Sequence, residues 1–331
     1  MGNPPNLPIV MTASRNDRPS RPWLYFQLTR LHMFPLGNIK LIWPGLWSLT
    51  LVAYKVHMPV AGFLQRSVVC VLAGTLVHST ACVLNDICDI DFDRQGKRTK
   101  NRPLAAGLIP VSGAWTLLAV MTIACVYLLS FANADAAILG LFGLFPLHGL
   151  YPLMKRWTTW PQAWLGAAMN WGCIVVWISV EPTYTREDTV LLIVMLSGCA
   201  CWTIIYDTMY ASQDREDDLR TGARSTAVTF GRRVYGFLTC FAICFLASLA
   251  LVGRMNDQRW PFFVISVGGT AVHLAWQLVT WDNNDDASSA AMFKANGNLG
   301  YIVWAGMLVD YIWMLSMGTW SVASTKSTIY A

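Results

Sequence analysis

Charged residues are scarce in this chain of 331 residues. They make up 13% of the sequence, whereas hydrophobic residues make up 55%. Soluble domains carry roughly 25% charged residues, so this composition excludes an ordinary water-soluble globule. The sequence instead contains repeated apolar runs of the length that a helix needs to cross a bilayer, about 20 residues. We therefore expect a polytopic α-helical membrane protein.

The patterns of several other protein classes are also missing. The nine cysteines include no Cys-x-x-Cys pair of the metal-binding type, and the five histidines form no metal pair at helical spacing. The small net charge of +5 gives no indication of a nucleic-acid partner, and nothing points to an obligate protein partner. No long Pro/Gly/Ser linker divides the chain. We expect a single domain over 1–331, with a polar N-terminal segment at 1–35 and a transmembrane bundle at 36–325.

Nine apolar runs with interfacial Trp and Tyr predict nine membrane spans. Their centres lie near Trp47, Leu72, Val120, Leu144, Gly172, Met195, Phe245, Val267 and Met307. With this threading most Lys and Arg residues fall in loops on one side, which the positive-inside rule makes cytoplasmic. The N-terminus is then cytosolic and the C-terminus lies on the far side. Because the N-terminal segment is compact and lacks a long transit peptide, we expect the endoplasmic reticulum or another endomembrane, with the mitochondrial inner membrane as the alternative.

Acidic residues gather in two short windows, although carboxylates are costly inside a membrane. The first window follows the second span and places Asp86, Asp89 and Asp93 at i, i+3 and i+7, which a helix displays on one face. The second window follows the sixth span and contains Asp207, Asp214, Asp217 and Asp218. Because successive spans alternate in direction, both windows lie on the side of the membrane that carries the basic loops. Two helices can therefore oppose their carboxylates across one cavity.

Opposed carboxylates repel one another unless cations lie between them. Mg²⁺ is such a cation, because it binds through one or two carboxylates while phosphate oxygens and water fill its other positions. The loop after the first window carries the basic residues Lys97, Arg98, Lys100 and Arg102, which suit diphosphate oxygens. Solvated loop charge would explain either feature alone. Together they predict a phosphate ester held by Mg²⁺ and basic side chains.

Both acidic windows belong to longer motifs. The first reads N-D-x-x-D-x-x-x-D from Asn85 to Asp93 and is followed by K-R-T-K-N-R-P-L, and the second reads Y-D-x-x-Y-A-x-Q-D-x-x-D-D from Tyr206 to Asp218. Supporting segments are R-L-H-M-F-P-L-G at 30–37, Y-P-L-M-K-R-W at 151–157 and P-Q-A-W-L-G-A-A-M-N-W-G at 161–172. These motifs span nearly the whole chain. They resemble those of the UbiA family of intramembrane prenyltransferases.

The resemblance implies a nine-helix bundle around a central apolar cavity that opens to lipid, with an isoprenoid diphosphate held by Mg²⁺ at its cytosolic end. One metal would be bound by Asn85, Asp86, Asp89 and Asp93, and the other by Asp207, Asp214 and Asp218. The diphosphate would contact Tyr151, Lys155, Lys100 and Arg102. The candidate catalytic residues are thus Asp86, Asp89, Asp93, Asp214 and Asp218.

The chemistry implied is ionisation of an allylic C–O bond. Metal and basic groups stabilise the charge that develops on the departing pyrophosphate. Aromatic rings stabilise the allylic cation, and apolar helices exclude the water that would quench it. An electron-rich ring then attacks through carbon and loses a proton.

His78 departs from part of the family. It lies seven residues before Asn85, two helical turns deeper in the expected cavity. Members resembling 4-hydroxybenzoate transferases have arginine there, where it suits an acceptor carboxylate. We infer that the acceptor lacks a benzoate-like carboxylate or binds it differently. General similarity to fungal family members that prenylate polyketide aromatic rings or pyrones implies an acceptor of this kind in meroterpenoid biosynthesis, with farnesyl diphosphate as donor and His78 in the substrate site.

Three other activities stay open at this point. A 4-hydroxybenzoate polyprenyltransferase of ubiquinone biosynthesis would use the same motifs with another acceptor. An intramembrane terpene cyclase would use the same metals without an aromatic acceptor. An ion-coupled transporter would place carboxylates near span centres, whereas here they lie at helix ends.

Overall fold

The fold is described by a computed structural model over residues 19–329, and within this range every regular element is helical. The prediction of an all-α fold is confirmed. Residues 1–18 and 330–331 lie outside the described range. They include half of the predicted polar N-terminal segment and the predicted far-side C-terminus.

Fifteen α-helices are present in residues 19–329. They are α1 (Arg21–Leu28), α2 (Ile39–Lys55), α3 (Val60–Cys88), α4 (Ile90–Gln95), α5 (Val111–Leu129), α6 (Ala134–Phe142), α7 (Gly149–Trp157), α8 (Pro161–Asn170), α9 (Gly172–Val180), α10 (Arg186–Ala211), α11 (Arg215–Thr221), α12 (Thr226–Phe230), α13 (Val234–Met255), α14 (Gly269–Thr280) and α15 (Asp286–Ile329). The π-helical segments Gly143–His148 and Phe262–Gly268 lead into α7 and α14.

Eight helical segments in this range are long and apolar enough to cross a membrane. They are Val60–Cys88, Val111–Leu129, Ala134–Trp157, Pro161–Val180, Arg186–Thr221, Thr226–Met255, Phe262–Thr280 and Asp286–Met317. The remaining predicted span, around Trp47, is α2, whose 17 residues lie at the short end of the range for a transmembrane helix. The predicted spans therefore all coincide with helices.

The centre of the bundle is α2. Of its 17 residues 14 are buried, and it packs against α3, α9 and α15. Trp43 and Trp47 lie 1% exposed in this core and donate their indole N–H groups to the carbonyls of Gly297 and Gly300 at 2.9 and 3.2 Å. A buried indole N–H usually finds such an acceptor. These bonds fix α2 against α15.

The outer surface of the bundle is apolar. On α14, Val279 is 85% exposed and Val272 is 73% exposed, and on α5 Ile123 is 69% exposed. Soluble monomers rarely expose contiguous apolar surface on this scale. These faces are explained if lipid covers them, in agreement with the predicted membrane protein.

Both acidic windows lie where a long helix gives way to a short one. α3 ends at Cys88, and Asp89 has φ −98° and ψ 9° before α4 begins. The prediction that the three aspartates share one face of an uninterrupted helix is therefore wrong in detail. The backbone hydrogen bonds from Asp89 to Asn85 and from Asp93 to Asp89, at 2.9 and 2.8 Å, nevertheless continue across the break. They keep the aspartates at one end of the bundle.

Candidate functional site

A cavity of about 1700 Å³, including its open mouth, lies at the end of the bundle where α3 and α10 finish. Most of the predicted site residues line it: His78, Asn85, Asp86, Asp93, Arg98, Arg102, Tyr151, Lys155, Asp207, Asp214 and Asp218. They come from spans far apart in sequence. The structure thus places both acidic motifs and several basic residues around one cavity.

Asp86, the first acidic residue of the first motif, is buried beside the cavity. It is 1% exposed and accepts hydrogen bonds from Arg30 Nη2 at 2.7 and 2.9 Å, one to each carboxylate oxygen. Arg102 donates to the same carboxylate at 3.2 Å. A buried carboxylate is tolerated only when such partners compensate its lost hydration. The two arginines therefore replace the hydration that the Asp86 carboxylate loses on burial.

Arg102 joins the two ends of the first motif, since it also donates to Asp93 at 2.8 Å. Burial raises the pKa of the Asp93 carboxyl above its usual range, although Arg102 acts in the opposite direction. Burial also opposes the charge of Arg102, but Asp86 and Asp93 raise its pKa overall. Arg102 is therefore cationic at neutral pH and able to bind phosphate oxygens.

The second motif faces the basic loop across the cavity mouth. Arg98 donates to both oxygens of Asp214, from Nε at 3.1 Å and from Nη2 at 2.6 Å. The backbone N–H of Lys97 donates to Asp217 at 2.8 Å. These contacts join residues that are more than 110 positions apart in sequence. They place both acidic windows at the same end of the bundle, as the distribution of charge among the loops predicts.

Asp89 lies at the break between α3 and α4 and is 1% exposed. Its Oδ2 accepts a hydrogen bond from Lys155 at 3.1 Å, but its Oδ1 has no partner among the described residues. The side-chain oxygen of Asn85 is likewise buried and unpartnered there. Buried oxygens without partners are uncommon in native structures. Oxygens of this type are the ligands that Mg²⁺ prefers, so this donor set fits the metal.

Asp86, Asp93 and Asp214 pair with arginine, and Asp89 pairs with lysine. Within residues 19–329 no three His, Cys, Asp or Glu side chains stand close enough together to hold a metal. Arg98, Arg102 and Lys155 occupy the space beside the acidic groups instead. The predicted metal sets therefore need these basic side chains to shift. The assignment of metal ligands remains a prediction.

Lys97 and Lys100 do not line the cavity. The side chain of Lys97 is 77% exposed and lies 3.3 Å from Glu216, and Lys100 is exposed on the loop. The arginines of the same basic run turn inward because each finds a carboxylate there. Contact between the two lysines and a diphosphate also remains a prediction.

Three lysine and arginine residues that line the cavity, Arg30, Lys40 and Arg224, were not assigned roles from the sequence. Arg30 belongs to the segment R-L-H-M-F-P-L-G, which carried the family resemblance but no candidate residue. Lys40 is 3% exposed in α2 and faces the cavity. A lysine inside an otherwise apolar span was the signal that could have identified it, since intramembrane charge is functional by default.

The family model described as the UbiA prenyltransferase family matches residues 41–318. The UbiA prenyltransferase claS of Ampulloclitocybe clavipes is 40% identical over 317 residues, which cover 93% of this chain and 99% of that protein. The mitochondrial 4-hydroxybenzoate polyprenyltransferase of Arabidopsis thaliana is 34% identical, and the match covers 86% of this chain and 68% of that protein. The chain is thus similar to relatives across fungi and plants.

Solved structures confirm the fold. The apo structure of a UbiA homolog from Aeropyrum pernix K1 superposes with a TM-score of 0.69 at 18% identity, covering 82% of this chain and 97% of that one. A UbiA homolog from Archaeoglobus fulgidus, solved bound to GPP and Mg²⁺, gives a TM-score of 0.57 at 19% identity, covering 85% and 99%. The family match confirms the predicted enzyme class and decides against a transporter. The chain belongs to the UbiA prenyltransferase family.

Proposed function

We propose that the protein transfers a farnesyl group from its diphosphate to a carbon of an aromatic or pyrone ring, with Mg²⁺ as cofactor. The observation that carries the proposal is the meeting of both acidic motifs and their basic partners around one cavity. The Archaeoglobus homolog bound to GPP and Mg²⁺ supports it, because that protein has the same fold. We place this end of the bundle on the cytosolic side of an endomembrane.

In this proposal the first motif (Asn85, Asp86, Asp89 and Asp93) would hold one Mg²⁺ and the second (Asp207, Asp214 and Asp218) another. Bound Mg²⁺ supplies positive charge that offsets the charge developing on the leaving diphosphate. Arg98, Arg102 and Lys155 exchange their carboxylate partners for phosphate oxygens when the substrate enters. Arginine suits this exchange, because its planar fork binds carboxylate and phosphate in the same geometry.

The deeper wall of the cavity is apolar and aromatic, with Leu165, Met169, Tyr206 and Phe293 among its lining residues. Apolar walls keep water away from an allylic cation, and aromatic faces stabilise its charge. Tyr206 is 1% exposed and is held in the aromatic cluster of the core. These residues favour carbon–carbon bond formation over hydrolysis of the donor.

We propose a polyketide-type ring as the acceptor because histidine stands at position 78 and because identity to claS, 40%, exceeds that to the 4-hydroxybenzoate enzymes. A 4-hydroxybenzoate polyprenyltransferase is the second candidate. It is supported by relatives of that name at 34% identity in Arabidopsis thaliana and Homo sapiens.

The test is a product analysis in microsomes that contain the full chain. Mg²⁺, geranyl, farnesyl and geranylgeranyl diphosphates, and a panel of phenolic acids and pyrones are supplied, and products are identified by mass spectrometry. We expect a farnesylated polyketide-type ring, absent from microsomes with Asp214→Ala. Transfer to 4-hydroxybenzoate alone would favour the second candidate. A terpene formed from donor alone would indicate a cyclase, and no product with any pair would contradict the proposal.

His78→Arg should lower acceptor turnover. His78 lines the cavity, and Lys40 already acts on it electrostatically, so a second fixed cation there is repelled and crowds the acceptor. We expect kcat/KM for the acceptor to fall by about tenfold, which corresponds to about 1.4 kcal/mol. His78→Gln is the uncharged control and should lose less. Improved turnover of the native acceptor by His78→Arg would contradict the inference drawn from this position.

A further inference from the structure

We propose that Lys40 recognises an anionic oxygen on the acceptor ring and so helps to determine acceptor specificity. The proposal rests on the prenyl transfer proposed above. Arg98, Arg102 and Lys155 already lie at the mouth of the cavity, so binding of the diphosphate does not require Lys40. Lys40 is therefore available for another role.

Lys40 is a buried lysine with no carboxylate within ion-pair distance in the described part of the chain. It is the second residue of α2, is 3% exposed, and donates one hydrogen bond, to the Leu36 carbonyl at a long 3.4 Å. Asp207 acts on it electrostatically but does not form an ion pair with it. A charge inside a membrane span is costly unless it is paired. An anion entering the cavity would provide the missing partner.

The surroundings of the ammonium group suit an aromatic anion. Lys40 Nζ lies 3.6 Å from the ring centroid of Phe293 and 5.9 Å from that of Tyr206. Both rings line the same cavity. The cation is therefore held over an aromatic wall against which an acceptor ring can stack. The acidic oxygen of such a ring, a carboxylate or an ionised ring hydroxyl, would then reach Nζ.

Lys40 also lies at the depth where the acceptor is expected. α2 and α3 are joined by a short turn and pack side by side, with Gly74 directly against Ile42. This pairing brings Lys40 to the level of His78, and the two side chains interact electrostatically. His78 precedes Asn85 by seven residues, which is about 10 Å along a helix. Lys40 is thus separated from the first acidic motif.

The test uses the purified full chain in detergent with Mg²⁺ and unreactive farnesyl thiodiphosphate. Calorimetry compares two ionisable ligands with their neutral partners: 4-hydroxybenzoate with its methyl ester, and 4-hydroxy-6-methyl-2-pyrone with its 4-methoxy ether. We expect the wild type to bind at least one ionised ligand about tenfold more tightly than its partner, a difference that corresponds to 1.4 kcal/mol. Lys40→Met should abolish this preference, and Lys40→Arg should retain it.

Affinity for farnesyl thiodiphosphate distinguishes acceptor recognition from donor recognition. It should change less than twofold in Lys40→Met, whereas a tenfold loss would assign Lys40 to the donor and overturn the proposal. Equal binding of ionised and neutral ligands by the wild type would overturn it as well, even where the variants fail to fold. Because the readout is binding, a charge preference without any prenyl transfer would contradict the proposed function alone.

Discussion

Asp214→Ala is expected to reduce prenyl transfer by about 10²- to 10³-fold, the loss typical when a group that stabilises transition-state charge is removed. The side chain of Asp214 is 25% exposed at the cavity mouth and pairs with Arg98. Its removal takes away a proposed metal ligand and leaves Arg98 able to hydrate. The bundle should therefore still insert in the membrane. The measurement is the rate of prenylated product formed by purified protein at saturating acceptor.

Asp89 provides the same test in the first motif. Asp89→Asn is the better variant, because Asp89→Ala would leave the ammonium of Lys155 without its 3.1 Å partner. Asp91→Ala is the matched control: Asp91 lies in the same window, but its side chain is 90% exposed and pairs only with Arg94 at 3.4 Å. The control should retain activity within twofold. Full activity in purified Asp89→Asn or Asp214→Ala would remove these residues from the proposed site.

Arg102→Met should be the second most damaging change. Arg102 bridges Asp86 and Asp93, so its loss leaves two carboxylates facing each other and removes a cation from the diphosphate. Hydrogen bonds to charged groups contribute about 1.5–3 kcal/mol, so we expect kcat/KM for the prenyl diphosphate to fall by about 10- to 100-fold. Steady-state rates at varied donor concentration measure this effect. The acceptor KM should change much less.

Lys100→Met is the control for that experiment. Lys100 lies two residues away in the same basic run but is exposed outside the cavity. The geometry predicts a change in donor kcat/KM of less than about threefold, the size expected for an exposed charge. Equal losses in the two variants would place Lys100 on the diphosphate, as the sequence motif predicts.

The sequence was sufficient to predict the helices that cross the membrane and the end at which the acidic windows meet. Span positions follow from hydrophobic length, and the shared end follows from the charge of the loops. The distance between these loops along the chain does not matter for these arguments, because each argument depends on local composition. The contact between Arg98 and Asp214 agrees with the prediction that both acidic windows lie at the same end of the bundle.

Local patterns could not predict which basic side chains point into the cavity. Lys97 and Arg98 are adjacent, yet the Lys97 side chain is 77% exposed beside Glu216, whereas Arg98 reaches Asp214 at the cavity. Arg30 contacts a carboxylate 56 positions away, and Lys40 lies over the ring of Phe293 on the last helix. These orientations depend on tertiary partners that sequence spacing does not reveal. The break at Asp89 escaped prediction for the same reason.

The most direct test of the account is the divalent-ion dependence of the purified enzyme. The central claim is that two acidic motifs at one end of the bundle hold a magnesium-bound diphosphate. After complete chelation, prenyl transfer should fall to background, and added Mg²⁺ should restore it in the wild type but not in Asp214→Ala. Undiminished transfer by the fully chelated wild type would contradict the account.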